Sequence, residues 1–402
     1  MGDSLTPVTA PEPVDRGDEP TTSPPTLADV VMVLDRLYDP SWADDWDAVG
    51  TVTGHPDQPV GKIMFAVDPV QVVIDEALEW GADLLVVHHP LLLRPVHSVA
   101  ATTYKGRAVH DLISNGLALH VCHTNADSPP GGVSEALALT LGLQGSRPLV
   151  PADRSALDKI VTFVPHDHAQ RVIDALSAAG AGAIGEYDRC AFISTGVGTF
   201  RPGPAADPTI GALDEITQVE ETRLEMVLPR DLRVPVIEAL RFAHPYEEPA
   251  FDLLEMAGLP ADRGSGRIGV LAMEQNLRDF AGHVVDALPV TAQGVRVAGD
   301  EERMIRTVAV AGGAGDSLLA EVRAAHPDVY VTSDLRHHPA SEFREDPDAP
   351  ALIDVSHWAA EWTWLPVAER ALTQALSQRD VTVETHVSRI STDPWNFRAN
   401  HR

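Results

Sequence analysis

Short apolar runs alternate with amphipathic segments between residues 61 and 122, and this alternation restricts the fold more than any other feature. The runs "KIMFAV", "DLLVV" and "LALHVC" have the length and composition of buried strands. The segments between them show helical spacing, and we expect Asp68-Pro69 to cap the first helix and Gly81 to end it. Strand–helix–strand repetition predicts a parallel sheet with helical crossovers.

Ionisable side chains follow each of these predicted strands. They are Asp68 after the first strand, His88 and His89 after the second, and His123 and Asp127 after the third. The carboxyl ends of parallel strands lie at one edge of a sheet, where open α/β sheets bind their ligands. Adjacent residues on extended backbone point to opposite sides, so His88 and His89 suit either two ions or one ion and a supporting contact.

A different pattern begins after residue 150. Two strand–helix units with additional strands fall within about 100 residues, which is typical of a compact α+β module of ferredoxin-like character. The first pattern returns at "GSGRIGVL". The predicted fold class is therefore α/β, with two similar lobes whose parallel-rich sheets are flanked by helices, and an inserted α+β domain. We divide the chain into a disordered tail (1–25), a first lobe (26–154), the insertion (155–260) and a second lobe (261–395).

The second lobe also carries ionisable residues after its predicted strands. They are Asp334 beside Ser333, the pair His337 and His338, and His357 with Glu361. His357 and Glu361 are four residues apart, so a helix places both on one face, where they can share a metal ion. Imidazole and carboxylate ligands without thiolates suit Zn²⁺, Fe²⁺ or Mn²⁺. Ordinary surface or core histidines and a solvated His–Glu helix contact are the alternatives that the spacing leaves open.

Charge and composition exclude several classes of function. The 402 residues include 59 acidic and 30 basic ones, and the net charge of −29 argues against nucleic acid as the main partner. No apolar run has the length of a membrane span and no signal-peptide pattern opens the sequence, so we expect a soluble cytoplasmic protein. Cys122 and Cys190 show no metal-ligand spacing. "VAGGAG" lacks the full dinucleotide-binding pattern and is interpreted as a close strand-to-helix turn.

Motifs along most of the chain resemble one family. In order, "WDAVG", "FAVDPV", "DLLVVHHPLLLRP", "HTNADSPPGGVSEALA", "VAVAGGAG", "VYVTSDLRHH" and "DVSHWAAEW" resemble the Nif-three-like family of GTP cyclohydrolase 1 type 2 homologues. The middle segments "AGAGAIGEYDRCAFISTGVGTFRP" and "AHPYEEPAFDL" are similar to the insertion of longer bacterial members, which is related to the trimeric PII and CutA folds.

The resemblance implies a dinuclear metal centre between the two lobes and a ring-shaped homohexamer. By motif, the metal ligands are His88, His89, Asp127, His357 and Glu361. The chain departs from the family pattern at Ala48, where asparagine is common, and around Ser333-Asp334 and His337-His338, where Thr-Gly and Tyr-His are usual. These departures affect the expected substrate specificity and leave the metal ligands intact.

The leading functional hypothesis is a hydrolase with two divalent metal ions (Zn, Fe or Mn) that opens the imidazole ring of GTP at C8 and releases formate. His338 or His97 is the candidate proton carrier, because imidazole pKa values lie near neutral pH. A purely structural role for His97 stays open, as do phosphoester hydrolysis and a non-enzymatic metal-binding or regulatory scaffold. The expected partners are a nucleotide or other small-molecule substrate and further copies of the chain.

The inserted segment contains one conspicuous polar motif. "HPYEEP", with His244, Glu247 and Glu248, is either a capping turn or a pore-lining loop. We expect the insertion to serve assembly, because related folds form trimers, and gating of access to the metal centre is the alternative.

Overall fold

The computed structural model describes residues 24–153, 156–185, 187–258 and 260–399. Of the predicted tail, residues 1–25, all but the last two lie outside the described residues. Contacts between Cα atoms divide the chain into two compact units. The first runs to Val150 and resumes at Arg263, and the second is Pro151–Asp262. The insertion expected at 155–260 thus corresponds to a unit with a few more residues at each end.

The secondary structure alternates between strands and helices along most of the chain. The strands are β1 (Gly50–Thr53), β2 (Lys62–Ala66), β3 (Leu84–Val87), β4 (Ala118–Val121), β5 (Gln144–Asp153), β6 (Leu157–Pro165), β7 (Ala191–Phe200), β8 (Thr217–Pro229), β9 (Phe251–Glu255), β10 (Pro260–Asn276), β11 (Arg296–Ala298), β12 (Met304–Ala314), β13 (Val329–Ser333), β14 (Ala351–Val355) and β15 (Glu384–Val387). The helices are α1 (Leu27–Leu37), α2 (Gln71–Trp80), α3 (Tyr104–Ser114), α4 (Thr124–Asp127), α5 (Val133–Thr140), α6 (Ala169–Ala178), α7 (Arg233–Ala243), α8 (Leu277–Ala287), α9 (Leu319–Ala325), α10 (His337–Arg344), α11 (His357–Trp362) and α12 (Leu365–Ser377). Of these described helices, none is long and apolar enough to cross a lipid bilayer.

The first lobe contains a sheet with the strand order β1-β4-β3-β2-β15. Its centre is parallel, as predicted: Phe65 of β2 pairs with Val86 of β3, and β3 runs in the same direction as β4. β15 joins β2 in parallel from a distant part of the sequence, and β1 pairs with β4 in antiparallel. The residues that follow β3 and β4 therefore lie beside each other at one edge of the sheet.

The helix after β2 begins later than the sequence suggested. α2 starts at Gln71 with Val70 as its N-cap residue, and no side chain caps it. The prediction that Asp68 caps this helix is wrong, because its carboxylate accepts a hydrogen bond from His89 Nδ1 at 2.7 Å. Gly81 ends the helix in the left-handed conformation with φ of 77°, as predicted.

The second lobe contains a sheet with the strand order β11-β14-β13-β12-β10-β5. Its central strands β12, β13 and β14 are parallel, β10 pairs with β12 in antiparallel, and β11 pairs with β14 in antiparallel. The "VAGGAG" glycines Gly312 and Gly313 lie within β12 and not in a turn, since the strand continues to Ala314. Two helices, α11 and α12, follow β14, and Pro366 lies in the first turn of the second.

One apolar core joins the two lobes. Phe65 and Val86 of the first sheet belong to the same cluster of buried side chains as Val310 of the second. Trp364 is fully buried in this cluster, and its indole N–H donates to the Tyr38 hydroxyl at 3.2 Å. Because protein interiors are close-packed, the shared core fixes the strand ends of the two lobes relative to each other.

The second unit has the chain order β6-α6-β7-β8-α7-β9, which is the order of ferredoxin-like folds. Its sheet has the strand order β7-β8-β6-β9, and the neighbouring strands pair in antiparallel. Helices and sheet share a core that includes Ile160, Val172, Leu224 and Leu240. The ferredoxin-like α+β character that the sequence predicts for the insertion is therefore present in this unit.

A buried arginine of the first unit ties β10 to the segment that follows Asp127. Arg267 is 1% exposed. Its guanidinium donates to two carbonyls close in sequence and to the carbonyls of Ser128 and Pro129, at 2.8 to 2.9 Å. Loss of the guanidinium would leave these buried acceptors without a donor, which costs about 1–3 kcal/mol for each group that water cannot reach.

We expect Arg267→Met to lower the free energy of unfolding of the first unit by about 3 kcal/mol, because buried carbonyls lose their donor. All seven tryptophans lie outside Pro151–Asp262, so urea unfolding followed by tryptophan fluorescence reports on this unit. Arg278→Met is the matched control, since Arg278 is largely exposed and pairs only with Glu301 among the described residues. Equal effects of the two substitutions would contradict this role of Arg267.

Candidate metal centre

Ionisable side chains from both lobes converge at the carboxyl ends of the parallel strands. From the first lobe come His88 and His89 after β3, His123 after β4, and Asp127 at the end of α4. From the second lobe come His357 and Glu361 of α11, the helix that follows β14. The residues predicted as metal ligands thus lie together, and His123 joins them; we refer to these six residues as the cluster.

The Glu361 carboxylate lies at the centre of the cluster and is 3% exposed. Its Oε1 is 2.8 Å from His357 Nε2 and 3.4 Å from His88 Nε2, and its Oε2 is 3.1 Å from His89 Nε2. Asp127 Oδ1 is 3.6 Å from His88 Nε2. A single carboxylate therefore faces imidazoles from both lobes.

The donor atoms are close enough to share metal ions. Ligand atoms of His88, His89 and His123 lie within 4.8 Å of one another, and so do those of His89, His357 and Glu361. Among the described residues, two buried atoms of the cluster, His88 Nε2 and Glu361 Oε2, have no hydrogen-bond partner. Buried polar atoms without partners are costly, and cations would satisfy both. The residues therefore fit the metal ions that the family resemblance implies.

Each imidazole of the cluster is oriented by a hydrogen bond at its other ring nitrogen. The pairs are His88 Nδ1 with the Cys122 carbonyl at 2.8 Å, His89 Nδ1 with Asp68 at 2.7 Å, His123 Nδ1 with Asp47 at 2.7 Å, and His357 Nδ1 with Asp334 at 2.7 Å. Because carboxylate and carbonyl oxygens only accept, each Nδ1 must carry the proton. In the neutral form of each ring, Nε2 then presents a lone pair to the cluster, which is how metal-binding histidines are usually held.

His123 is the one cluster residue that the ligand prediction left out. The sequence places it at a strand end, but the motif HTNAD directed attention to Asp127. Asp47 holds His123 in the cluster. Its fully buried side chain accepts hydrogen bonds from His123 Nδ1 and from the Thr124 amide at 3.0 Å. These hydrogen bonds outweigh the effect of burial and hold the pKa of Asp47 below its usual range. Asp47 lies 76 residues before His123 in the sequence, so only the fold reveals this contact.

Two backbone features of the second lobe allow this packing. Gly313 has φ of 71°, and a Cβ at this position would lie 2.8 Å from Glu361 Oε1. Asp334 has φ of 55°, a conformation that aspartate tolerates better than most residues, and this places its carboxylate against His357. Gly313 of "VAGGAG" thus allows β12 to pass close to the cluster.

The electrostatics of the cluster favour added positive charge. Burial by itself raises the pKa of Glu361, but the neighbouring imidazoles of His89, His88 and His357 hold it well below its usual range. Burial lowers the pKa of His89 and His357, but the Glu361 carboxylate and the aspartates at Nδ1 raise these pKa values to about 11 and about 10. Protons therefore bind where metal ions would bind, so the two would compete.

The two residues predicted as proton carriers lie apart from the cluster contacts. His97 is exposed in the segment between β3 and α3, and His338 is exposed in the first turn of α10. Among the described residues, neither shares a hydrogen bond or an ion pair with the cluster. Their catalytic role stays a prediction.

A cavity of about 290 Å³ borders the cluster. Its lining residues come from both lobes and from the segment after β15: Asp68, His89, Gln293, Asp334, His357, Trp358, Thr392, Asp393, Pro394 and Trp395. Thr392 donates to Asp68, and the Ser356 hydroxyl donates to Asp393, so two hydrogen bonds attach this segment. Trp395 is 67% exposed and offers an open aromatic face at the rim.

Known proteins are similar to this chain over nearly its whole length. A sequence model of the family Duf34/NIF3 (NGG1p interacting factor 3) matches residues 25–394. The GTP cyclohydrolase 1 type 2 homolog of Mycobacterium tuberculosis is 47% identical over 372 residues, which cover 92% of this chain and 97% of that protein. The Bacillus subtilis protein of the same name is 36% identical over 372 residues, with 92% and 97% coverage.

Two solved structures are also similar to this chain over nearly its whole length. A Bacillus cereus protein related to NIF3 is 33% identical with a TM-score of 0.70, and the match covers 93% of this chain and 99% of that one. Staphylococcus aureus protein SA1388 is 27% identical with a TM-score of 0.78 and the same coverage. With the family match, the sequence identities and the fold in agreement, the chain belongs to the Duf34/NIF3 family.

Proposed function

We propose that the cluster binds two divalent metal ions, Zn²⁺, Fe²⁺ or Mn²⁺, and that the chain is a metal-dependent hydrolase. The observation that carries this proposal is the buried Glu361 carboxylate, whose two oxygens face imidazoles of both lobes. His88, His89, His123, Asp127, His357 and Glu361 would hold the ions. The donor set of nitrogen and oxygen atoms without thiolate suits these metals.

When bound, such ions supply Lewis-acid charge to a substrate and lower the pKa of water in the site. The protein groups around them have their own tasks. Asp47, Asp68 and Asp334 fix the imidazole rings and keep their protons at Nδ1. Glu361 itself is 3% exposed, and the adjoining cavity would admit a substrate from one side.

The proposed substrate is a purine nucleotide, with GTP as the first candidate. Two relatives at 47% and 36% identity carry the name GTP cyclohydrolase 1 type 2 homolog. The exposed face of Trp395 at the cavity rim suits a planar base, because aromatic rings stack on nucleobases. The chain has a net charge of −29, so a nucleotide needs the local positive charge of metal ions to approach. A proton-transfer role for His338 or His97 is not supported by the cavity lining, which includes neither.

We also propose that the chain forms a homo-oligomer, the hexamer implied by the resemblance, with the second unit as a PII/CutA-like trimerising module. β7 is an edge strand of its sheet, and Phe192 and Ile193 on it are 63% and 49% exposed. Exposed apolar side chains on an unpaired strand edge favour association with another chain.

The metal proposal predicts about two divalent ions in each purified chain, measured by inductively coupled plasma mass spectrometry after removal of loose metal. Glu361→Gln should lose at least one of them, because the neutral amide keeps the shape of the side chain and removes its charge. Glu342→Gln on the exposed face of α10 makes the same charge change and should keep both ions. A wild-type chain without bound metal, or an unchanged count in Glu361→Gln, would refute the proposal.

The substrate proposal is tested by incubating the metal-loaded protein with GTP and measuring formate and inorganic phosphate. We expect formate without phosphate, and no formate from Glu361→Gln prepared in parallel, which controls for contaminating enzymes. Release of phosphate without formate would show that the reaction is phosphoester hydrolysis and not ring opening. Bound metal without turnover of nucleotides or phosphoesters would instead indicate a metal-binding scaffold.

The assembly proposal predicts a mass of six times the 43.2 kDa chain in light scattering coupled to size exclusion. Phe192→Asp should reduce this mass, because a carboxylate on the edge strand opposes burial. Val290→Asp, at a position 94% exposed in the first unit, is the control and should leave the mass unchanged. A monomeric wild-type protein would be incompatible with this assembly.

A further inference from the structure

The second unit contains a cavity of its own, with a volume of about 600 Å³. Its walls are formed by β7, by parts of β8 and by the segments 202–210 and 246–250. The volume falls in the range of small-molecule sites, roughly 300–1,000 Å³. Every residue of the metal cluster belongs to the first unit, so the proposed hydrolase function does not account for this cavity.

A buried carboxylate faces the cavity. Glu221 of β8 lines it and is only 9% exposed. Its Oε1 accepts a hydrogen bond from the Tyr246 hydroxyl at 2.8 Å. Among the described residues, its Oε2 has no hydrogen-bond donor and the carboxylate has no cationic partner. Glu221 Oε2 is therefore free to accept a hydrogen bond from a donor inside the cavity.

The neighbouring strand leaves space for this carboxylate. Gly196 of β7 pairs directly with Glu221, and Gly198 is two residues further along. A Cβ at Gly198 would lie 2.6 Å from Glu221 Cδ, whereas a Cβ at Gly196 would meet no atom within 4 Å. One glycine therefore makes room for the carboxylate, and the other leaves open the space above it.

The motif "HPYEEP" holds the phenol that orients Glu221. His244 is 7% exposed, its Nε2 donates to the Phe163 carbonyl at 2.9 Å, and its Nδ1 accepts from the Tyr246 amide at 3.1 Å. This fixes the ring tautomer and the start of the segment that carries Tyr246. The motif thus positions a side chain of the cavity.

The acidic residues in the cavity wall indicate that a ligand there carries positive charge. Glu221, Glu247 and Glu248 line the cavity, and Arg223 is the single basic residue in the lining. The Arg223 Nε donates to Glu225 at 2.9 Å and its guanidinium lies 5.6 Å from the centre of the Phe163 ring, so its charge is already partnered. The remaining lining is largely apolar and includes the rings of Phe163, Phe200 and Tyr246. Such walls repel anions, nucleotides included, and favour an apolar molecule with a positive end.

We propose that this cavity binds a small organic cation, an ammonium or amidinium group on an apolar frame, with Glu221 Oε2 accepting its N–H donors. The apolar frame packs against the aromatic rings of the wall. The site is independent of the metal cluster.

The test uses the full-length protein with benzamidine and phenethylamine as probes and measures binding by isothermal titration calorimetry. Benzamide and 2-phenylethanol are uncharged counterparts of the same shape. We expect at least one cation to bind, and its neutral counterpart to bind about tenfold more weakly or worse, because a charge-assisted hydrogen bond is lost. Absence of binding by both cations, or equal binding of charged and neutral probes, would overturn the proposal.

Variants locate the binding in the protein. Glu221→Gln should weaken cation binding about tenfold or more, whereas Glu220→Gln, the adjacent residue on the opposite face of the strand, should not. Tyr246→Phe leaves the carboxylate in place and should weaken binding less than Glu221→Gln, which gives a second reading if that variant folds poorly. Glu361→Gln should bind the cation like the wild type. If Glu221→Gln changes the oligomeric mass and the wild type binds no probe, a basic side chain of a second copy fills the cavity and the proposal is wrong.

Discussion

The buried carboxylate of Glu361 is the constraint on which the rest of the first unit depends. A negative charge that is 3% exposed needs compensation, and imidazoles of both lobes supply the surrounding donor atoms. These atoms lie at the ends of strands in two different sheets, so the shared apolar core must hold the sheets in a fixed relation. The hydrogen bonds from Arg267 to the Ser128 and Pro129 carbonyls also hold the segment after Asp127 in place. Packing and electrostatics are therefore coupled at one point of the fold.

Much of this arrangement can be predicted from sequence. β2, β3 and β4 are apolar runs with clear helices between them, so their parallel pairing follows from periodicity and chain connectivity. The same argument places His88, His89 and Asp127 at one sheet edge. β1, β15 and the long β5 and β10 carry weaker local patterns, and their places in the sheets depend on partners distant in sequence. Local pattern cannot encode such partners.

The residues that orient the cluster are harder to predict from sequence than the cluster residues themselves. Asp68 stands before a proline and a helix, where a cap is the common interpretation, yet it orients His89. The role of Asp334 depends on a positive φ that no neighbouring residue signals. Gly313 is a glycine because of a helix more than forty residues later. In the second unit, the role of the "HPYEEP" motif depends on the hydrogen bond from Tyr246 to Glu221 of β8. In each case the deciding contact is long-range.

The neighbouring positions of β5 and β10 in the second sheet have a consequence for the architecture as a whole. The chain leaves the first unit along one of these strands and re-enters along the other, so the two ends of the insertion need to be only one strand spacing apart, about 4.8 Å. A folded module with adjacent termini closes that gap with little more loss of chain entropy than a short hairpin loop. The sequence of the second unit can therefore diverge without moving the strands that carry the cluster.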